Sequence, residues 1–498
     1  MPRKLVLTVI DGMKPAMLER AIENGDAPIL QAIRDRGAYV DDCVAAFPSV
    51  TPVCAASIAT GTGPDAHQIP SMNWFSRAEG RYVEYGSSFS ASLKFGVVRS
   101  LTDTVYRMNN EHLSAATPTV FELLDDAAVR TAGTTYLMYR GRYEHSVTTD
   151  TPLARIASAT VFRQPVMGPR ELFYADLFAS RRTGCRGQFG MPGARDAHTG
   201  CVGAYLEEHD LYDFMLFSLP DNDTFSHRNG THAQVTSIAA ADKQLARLVE
   251  AGGGLDRFLD EHAMIVMADH SHAQVEERIR LNAAFDGWSI ARPDGGGATP
   301  GDIAISPAQR SAMVYVLAEE QRSKRAAEVA KVALAVPGVD LAMRRAAARE
   351  GVIESSRGEL HFAPGGDLVD LRGRRWSIDG DLETIGARIE DGRLLTPDYP
   401  DALARVWSSL TCETSGDVLL SAAPAYEFVD WGGSAHVGAG SHGSLHRSDS
   451  LAPLLWCGTG PETRDAREQW TLRDVMPMAV EHFGVEPSPA ALAAAAAR

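Results

Sequence analysis

KLVLTVIDG, residues 4–12, decides the fold. Its run of mostly branched apolar residues suits a strand buried on both faces, and it stops at Asp11-Gly12, a turn signal. The stretch that follows, KPAMLERAIENGDAPILQAIRDRG (14–37), predicts a helix, a turn and a second helix closed by Gly37. The same alternation continues along the chain. PTVFELLDDAAVRTAGTTYL (118–137) predicts a helix then a strand. DLYDFMLFSLPD (210–221) predicts a strand ending at a carboxylate-rich loop, and HAQVTSIAAADKQLARLVEAGGG (232–254) a helix stopped by glycines. AMIVMADHSH (263–272) predicts another apolar strand with polar residues at its end. Strands alternating with helices imply an α/β fold, with a mostly parallel central sheet covered by helices on both faces. Ligands of such sheets collect beyond the carboxyl ends of the strands. Asp11, Asp223 and Asp269 all follow an apolar run closely.

From about Asn282 the pattern changes, and residues 286–424 read as an inserted α+β unit between core segments 1–285 and 425–498. Within it, residues 311–345 predict strand, helix, strand, and RGELHFAPGGDLVDLRGRRWSIDG (357–380) short strands with tight turns. The polar stretch 73–115 and the Gly-rich 183–203 read as long loops over a site, and the tail ALAAAAAR as low-complexity and frayed.

With 498 residues and 45% apolar content, the chain has ample material for a large core. A net charge of -16 argues against a nucleic-acid-binding surface. A small anionic substrate stays compatible, because two bound divalent ions would reverse the local potential. No window approaches the roughly 20 apolar residues of a membrane span, and the N-terminal apolar run is too short for a signal segment. The expectation is therefore a cytoplasmic protein. Its six scattered cysteines have no CxxC spacing, which suits reduced, buried thiols; Cys185 and Cys201, flanking a Gly-rich stretch, could pair under oxidant. Oligomeric state leaves no mark on the sequence.

Five short clusters carry metal-friendly chemistry: Asp11, Thr51 in FPSVTP, Asp223 with His227, Asp269-His270, and His442 in GSHG. Zinc takes carboxylate oxygens and imidazole nitrogens, and catalytic sites leave a position open. Asp223 and His227 are four apart and can share a helical face or one turn, which favours Asp223 over Asp221. Two divalent ions about 4 Å apart can clamp both oxygens of an in-line displacement at phosphorus, one of them activating the Thr51 hydroxyl. Thr51 is β-branched and stiff at χ1. The small residues after it, PVCAASIATG (52–61), fit a helix whose N-terminus draws an anion. Taken singly, each residue has an ordinary structural reading as a cap, loop or core residue.

VIDGMKP (9–15), AFPSVTPVCAASIATGTGPDAHQI (46–69), DNDTFSHRNG (221–230), MADHSH (267–272) and GSHGSLHRSDSLAPLLWCG (440–458) resemble the alkaline phosphatase superfamily, especially its nucleotide pyrophosphatase/phosphodiesterase branch. The resemblance spans about residues 4–285 and about 430 to the end. It implies an alkaline-phosphatase-like layered fold and two zinc ions. By position it makes Thr51 the nucleophile, with Asp11, Asp269 and His270 on the nucleophile-side ion, and Asp223, His227 and His442 on the leaving-group-side ion. Family members often have an Asn that binds a phosphoryl oxygen; here Met72 stands at the matching position with Asn73 beside it, so either the loop shifts by one and Asn73 is the catalytic donor, or the transition state is stabilised differently. The family's Asp-His pair is usually followed by Gly, whereas here Ser271-His272 follow, making His272 either a group that orients a ligand or a solvated loop residue.

The expected activity is hydrolysis of a phosphodiester or phosphoanhydride in a small phosphorylated substrate, a nucleotide being one option, through a phospho-threonine. A sulfatase is disfavoured, because Thr51-Pro52-Val53-Cys54 does not match C/S-x-P-x-R. A phosphomonoesterase or phosphoglycerate-mutase relative is the enzymatic alternative; it would recruit a further cation, for which Arg77, Arg81, Arg140 and Arg142 are candidates. A non-catalytic metal-binding scaffold is the alternative of another class. The stretches 73–115, 155–203 and 286–424 are expected to grip the leaving group, with Trp74, Phe75, Tyr82 and Phe89 available either for stacking or for packing.

Overall fold

The chain is seen in a computed structural model that describes residues 2–148 and 163–495. The opening run forms β1 (Lys4–Ile10), and six of its seven residues are buried. The rest of its sheet comprises β2 (Ala38–Val44), β3 (Thr131–Thr134), β4 (Glu171–Tyr174), β5 (Phe178–Ala179), β6 (Phe214–Leu219), β7 (His262–Met267) and β8 (Leu451–Cys457). Their order is β2-β8-β7-β1-β6-β3-β4-β5. The five strands from β7 to β4 run parallel, and β8, β2 and β5 are antiparallel to their neighbours.

Helices α1 (Pro15–Glu23), α2 (Pro28–Arg36), α3 (Thr51–Thr60), α4 (Val120–Asp126), α5 (Arg195–Glu208), α6 (Asp221–Asn229) and α7 (Gln234–Ala251) cover this sheet. Alternate side chains of a strand leave opposite faces. Val6, Ile10, Met215, Phe217, Met264 and Val266 accordingly pack with α1, α2 and α7. Leu5, Leu7, Val9, Phe214, Leu216 and Ile265 pack with α3 and α4 on the other side. Each fully buried aliphatic side chain contributes about 1.5–3 kcal/mol, so a continuous apolar run is what a doubly covered strand requires.

A second, largely antiparallel sheet takes its strands from residues 290–422, with a helix at Arg322–Leu334 packed on one face through Ala326, Val329, Ala330 and Ala333. The predicted strand, helix and strand of 311–345 are Ser311–Val316, Arg322–Leu334 and Val339–Ala347. The sheet's other face shares a core with the first, through Met313, Tyr315, Phe75 and Tyr82.

Four expectations are corrected. Residues 73–115 are not a long loop: they hold a hairpin, Asn73–Ser76 with Arg81–Glu84, two short helices and a π-helical turn at Asp103–His112. Their polar side chains pair internally, as in the buried bidentate Arg81–Asp103 contact at 2.7 and 2.9 Å. Within 183–203, α5 begins at Arg195. The carboxylate-rich loop after β6 is helix α6, starting at Asp221. The tail is helical over Pro489–Ala495, where Ala491 is buried; residues 496–498 lie outside the described residues.

Candidate metal centre and nucleophile

Register brings the carboxylates together. Val9 pairs with Met267, and Ile10 with Leu219, so β7, β1 and β6 end at one level. Asp11 and Asp269 leave β1 and β7 there, and α6 begins immediately after β6, placing Asp223 in its first turn. The Gly12 amide donates to Asp269 Oδ1 (3.1 Å), and Asn222 Nδ2 donates to the Asp11 carbonyl (2.7 Å). These two bonds lock the strand ends to one another.

Two ligand clusters result. Asp223, His227, His272 and His442 present atoms all within 4.8 Å of one another, as do Asp11, Asp223 and His270. Asp269 Oδ2 and Asp11 Oδ1 lie 3.4 and 3.5 Å from His270 Nε2. Thr51 Oγ1 is 3.2 Å from the same nitrogen, at the first residue of α3. Six of the seven metal ligands expected from the sequence therefore converge with the seventh, Thr51, on one spot.

Backbone carbonyls set the imidazole tautomers. Nδ1 of His227 bonds the Gly440 carbonyl (2.9 Å), that of His442 the Ser49 carbonyl (2.8 Å), and that of His270 the Ser271 carbonyl (3.2 Å). With Nδ1–H donating outward, each Nε2 lone pair faces the cluster, as metal-ligating histidines require.

The electrostatics also call for cations. Burial, reinforced by Asp269 and Asp223, pushes the Asp11 carboxyl well above its usual range, and burial lifts Asp269 to about 6. Burial also opposes ionisation of Asp223, yet His227, His272 and His442 hold it well below the usual range. Burial, with His442 stacked alongside, lowers His270 strongly. Asp11 Oδ1, Asp269 Oδ2 and His442 Nε2 are buried without a hydrogen-bond partner. Oxygen and imidazole donors left in this state fit divalent ions of the zinc type.

The other sequence candidates separate. Asn73 is buried on its strand and spends its Nδ2 on the Pro307 carbonyl (2.6 Å); Met72, not Asn73, lines the cavity beside Thr51. Asp221 is held by Arg195 Nε (2.9 Å), away from the ligand clusters. His272 is no solvated loop residue: it is fully buried, with Nε2 2.9 Å from Asp223 Oδ1. Gln309, from the second sheet, places Nε2 3.3 Å from His227 Nε2 and was missed, as no motif surrounds it. Arg195, also missed, lines the cavity and is bound to Asp221 and the Pro220 carbonyl.

A cavity of about 520 Å³ opens over Asp11, Thr51, Asp223 and Asp269. Its walls include Met72, then Tyr85, Phe89, Val97 and Leu101 from the 73–115 stretch, and Tyr174, Leu177 and Arg195 from 155–203, of which 155–162 lie outside the described residues. No residue of 286–424 lines it among the described residues. Trp74, Phe75 and Tyr82 are buried, with Phe75 and Tyr82 edge to face at 5.2 Å, whereas Phe89 is 77% exposed at the rim.

Cys185 and Cys201 form a disulfide, the one pairing the sequence offered as the alternative to reduced thiols; the other four cysteines are free and buried. No helix among the described residues is long and apolar enough to cross a membrane.

The family model described as Type I phosphodiesterase / nucleotide pyrophosphatase matches residues 5–444. No curated protein matches the sequence. Among solved structures, phosphonoacetate hydrolase from Sinorhizobium meliloti 1021, in complex with phosphonoformate, aligns at 18% identity and TM-score 0.54, covering 99% of this chain and 96% of that one. Human ectonucleotide pyrophosphatase/phosphodiesterase 5 aligns at 13% identity and TM-score 0.57, with 98% and 96% covered. An inactive variant of the murine counterpart, in complex with AMP, aligns at 12% identity and TM-score 0.56 over the same shares.

Proposed function

Because the chain belongs to the type I phosphodiesterase/nucleotide pyrophosphatase family and is a hydrolase of phosphodiester or phosphoanhydride bonds, we propose that it works through a covalent phospho-threonine at Thr51, beside two zinc ions. The observation that carries this reading is the meeting of Thr51 Oγ1 with the Asp11, Asp269 and His270 donors on a cavity floor. Asp11, Asp269 and His270 would hold one ion, and Asp223, His227 and His442 the other. When bound, the ions supply Lewis acidity at the Thr51 oxygen and at the leaving oxygen.

Thr51 attacks phosphorus in line, forming its ester as the bond to the leaving oxygen breaks; its hydroxyl proton passes to solvent, and the leaving oxygen takes one up. Water then cleaves the phospho-threonine, restoring the hydroxyl and releasing the phosphoryl product. As the first residue of α3, Thr51 presents that phosphoryl group to the helix's positive end. Asn73, its amide bound to Pro307, supplies an oxyanion donor only after that bond is exchanged.

A diester is favoured over a monoester by the arginines. Arg77 is bound to Asp417, Arg81 to Asp103, Arg140 to Glu122 and Arg142 to Asp126, and none of them lines the cavity. Among the described residues, Arg195 is the cation that lines the cavity, and its Nε and Nη2 are already bound to Asp221 and the Pro220 carbonyl, so a second phosphate charge would have to compete with Asp221 for it. The small substrate of this chain is a phosphoryl compound, for which the murine relative's AMP is one example. We assign residues 286–424 as an inserted unit of this enzyme. A Cys185–Cys201 bridge is kept in an oxidising compartment, whereas a cytoplasm would hold both thiols open.

The test is Thr51→Ala. The variant should keep its fold and both ions while losing at least about a thousandfold of bis-nitrophenyl phosphate turnover, in line with loss of a nucleophile. Acid-quenched wild type should carry phosphate on the Thr51 peptide. Turnover in the variant close to wild type would remove Thr51 from the mechanism.

A further inference from the structure

The leaving-group-side cluster holds one more imidazole than the set just assigned. His227, His272 and His442 bring Nε2 to 3.3, 2.9 and 3.3 Å from a single atom, Asp223 Oδ1. An ion with four ligands at 2.0–2.1 Å in a tetrahedron separates them by about 3.3 Å. The three ring centroids form a nearly equilateral triangle with sides of 4.8, 5.0 and 5.1 Å. Imidazoles bound through Nε2 to one tetrahedral ion stand with centroids about 5 Å apart. His270 breaks the pattern, stacking on His442 at 3.6 Å, and so belongs to the neighbouring cluster.

The backbone makes room for this third ring. Gly12, at φ +66°, lies where a Cβ would come within 2.6 Å of His272 Nε2, and a Cβ at Gly440 would come within 3.0 Å of its Nδ1. Two glycines from separate strand ends thus clasp a fully buried imidazole and leave its Nε2 aimed into the cluster.

We propose that His272 is a fourth protein ligand of the leaving-group-side ion, completing an Asp223/His227/His272/His442 set; this rests on the two-metal reading above. The consequence is an unequal pair. One ion would be enclosed by four protein ligands and take the substrate's leaving oxygen as a fifth, while the ion beside Thr51 would rest on Asp11, Asp269 and His270 alone, with its fourth position given to the reacting Thr51 oxygen. On dialysis against a chelator, the nucleophile-side ion should leave first.

X-ray absorption of the zinc-loaded full-length protein tests this, because it counts imidazoles whether or not turnover is affected. The wild type should show four imidazoles over two ions, from His227, His270, His272 and His442, and His272→Ala three. The same variant should bind its tighter ion at least 100-fold more weakly, beyond the 10–100-fold typical of losing a hydrogen-bonding neighbour of a ligand. His272→Gln, which keeps a donor toward Asp223 and guards against a folding defect in the alanine variant, should not restore affinity. Three imidazoles in the wild type, or full rescue by glutamine, would overturn the assignment and make His272 a hydrogen-bonding support of Asp223. A wild type that takes up no zinc would instead sink the two-metal reading itself, and diester turnover by Thr51→Ala bears on the nucleophile alone.

Discussion

Asp223 belongs to both ligand clusters, whereas Asp269 touches only the one beside Thr51. The difference predicts distinct losses. On the two-metal reading, Asp223→Asn should deplete the leaving-group-side ion that it holds and weaken the neighbouring ion whose cluster it borders; Asp269→Asn should deplete the nucleophile-side ion first. Metal analysis after gel filtration reads both outcomes, and equal depletion by the two variants would contradict the geometry. The sequence marks both residues as strand-end carboxylates, but it does not reveal the sharing. Nor does it place His272, because adjacent side chains at a strand end diverge, and only the bend at Asp269 after the strand lets His272 return to the cluster. Asn73 illustrates the opposite limit: next to the right position by count, it faces Pro307 once its hairpin forms.

Long, strongly patterned elements were legible; short ones were not. β1, β6, β7 and α7 lie where their apolar periods place them. The four-residue strands Asn73–Ser76 and Arg81–Glu84 carry too few residues to establish a period, and are held by tertiary contacts such as Tyr82 Oη donating to the Ala291 carbonyl. The Cys185–Cys201 bridge likewise depends on α5 carrying Cys201 back toward Cys185, with a Cα–Cα distance of 5.8 Å. It closes a sequence separation of 16, so Cys201→Ser should cost about 3 kcal/mol in urea-induced unfolding. An unchanged midpoint would show that the segment around Arg195 is held without it.

The two sheets meet over a buried ion pair. Arg310, from the second sheet, donates to Asp449 Oδ1 at 2.6 Å with both side chains fully buried, and also to the carbonyls of Ala423 and Tyr426. The Arg310 amide donates to the His442 carbonyl, so this joint also positions a member of the histidine-rich cluster. Removing one member of such a pair leaves the other charge buried alone, and Arg310→Met should destabilise by about 3–5 kcal/mol. A double variant, Arg310→Met with Asp449→Leu, should recover much of that loss in chemical denaturation; full additivity would show that the pair does not couple the sheets.

The sequence by itself determined the layered α/β core and the residues able to bind cations, because apolar periodicity and strand-end chemistry are properties of neighbours along the chain. The tertiary structure decided which of those residues cluster within reach of one another, that Gln309 reaches His227, and that Cys185 meets Cys201. These relations arise from strand register and from loops folded back across the sheet, where contacts between residues on different elements leave no local pattern to read.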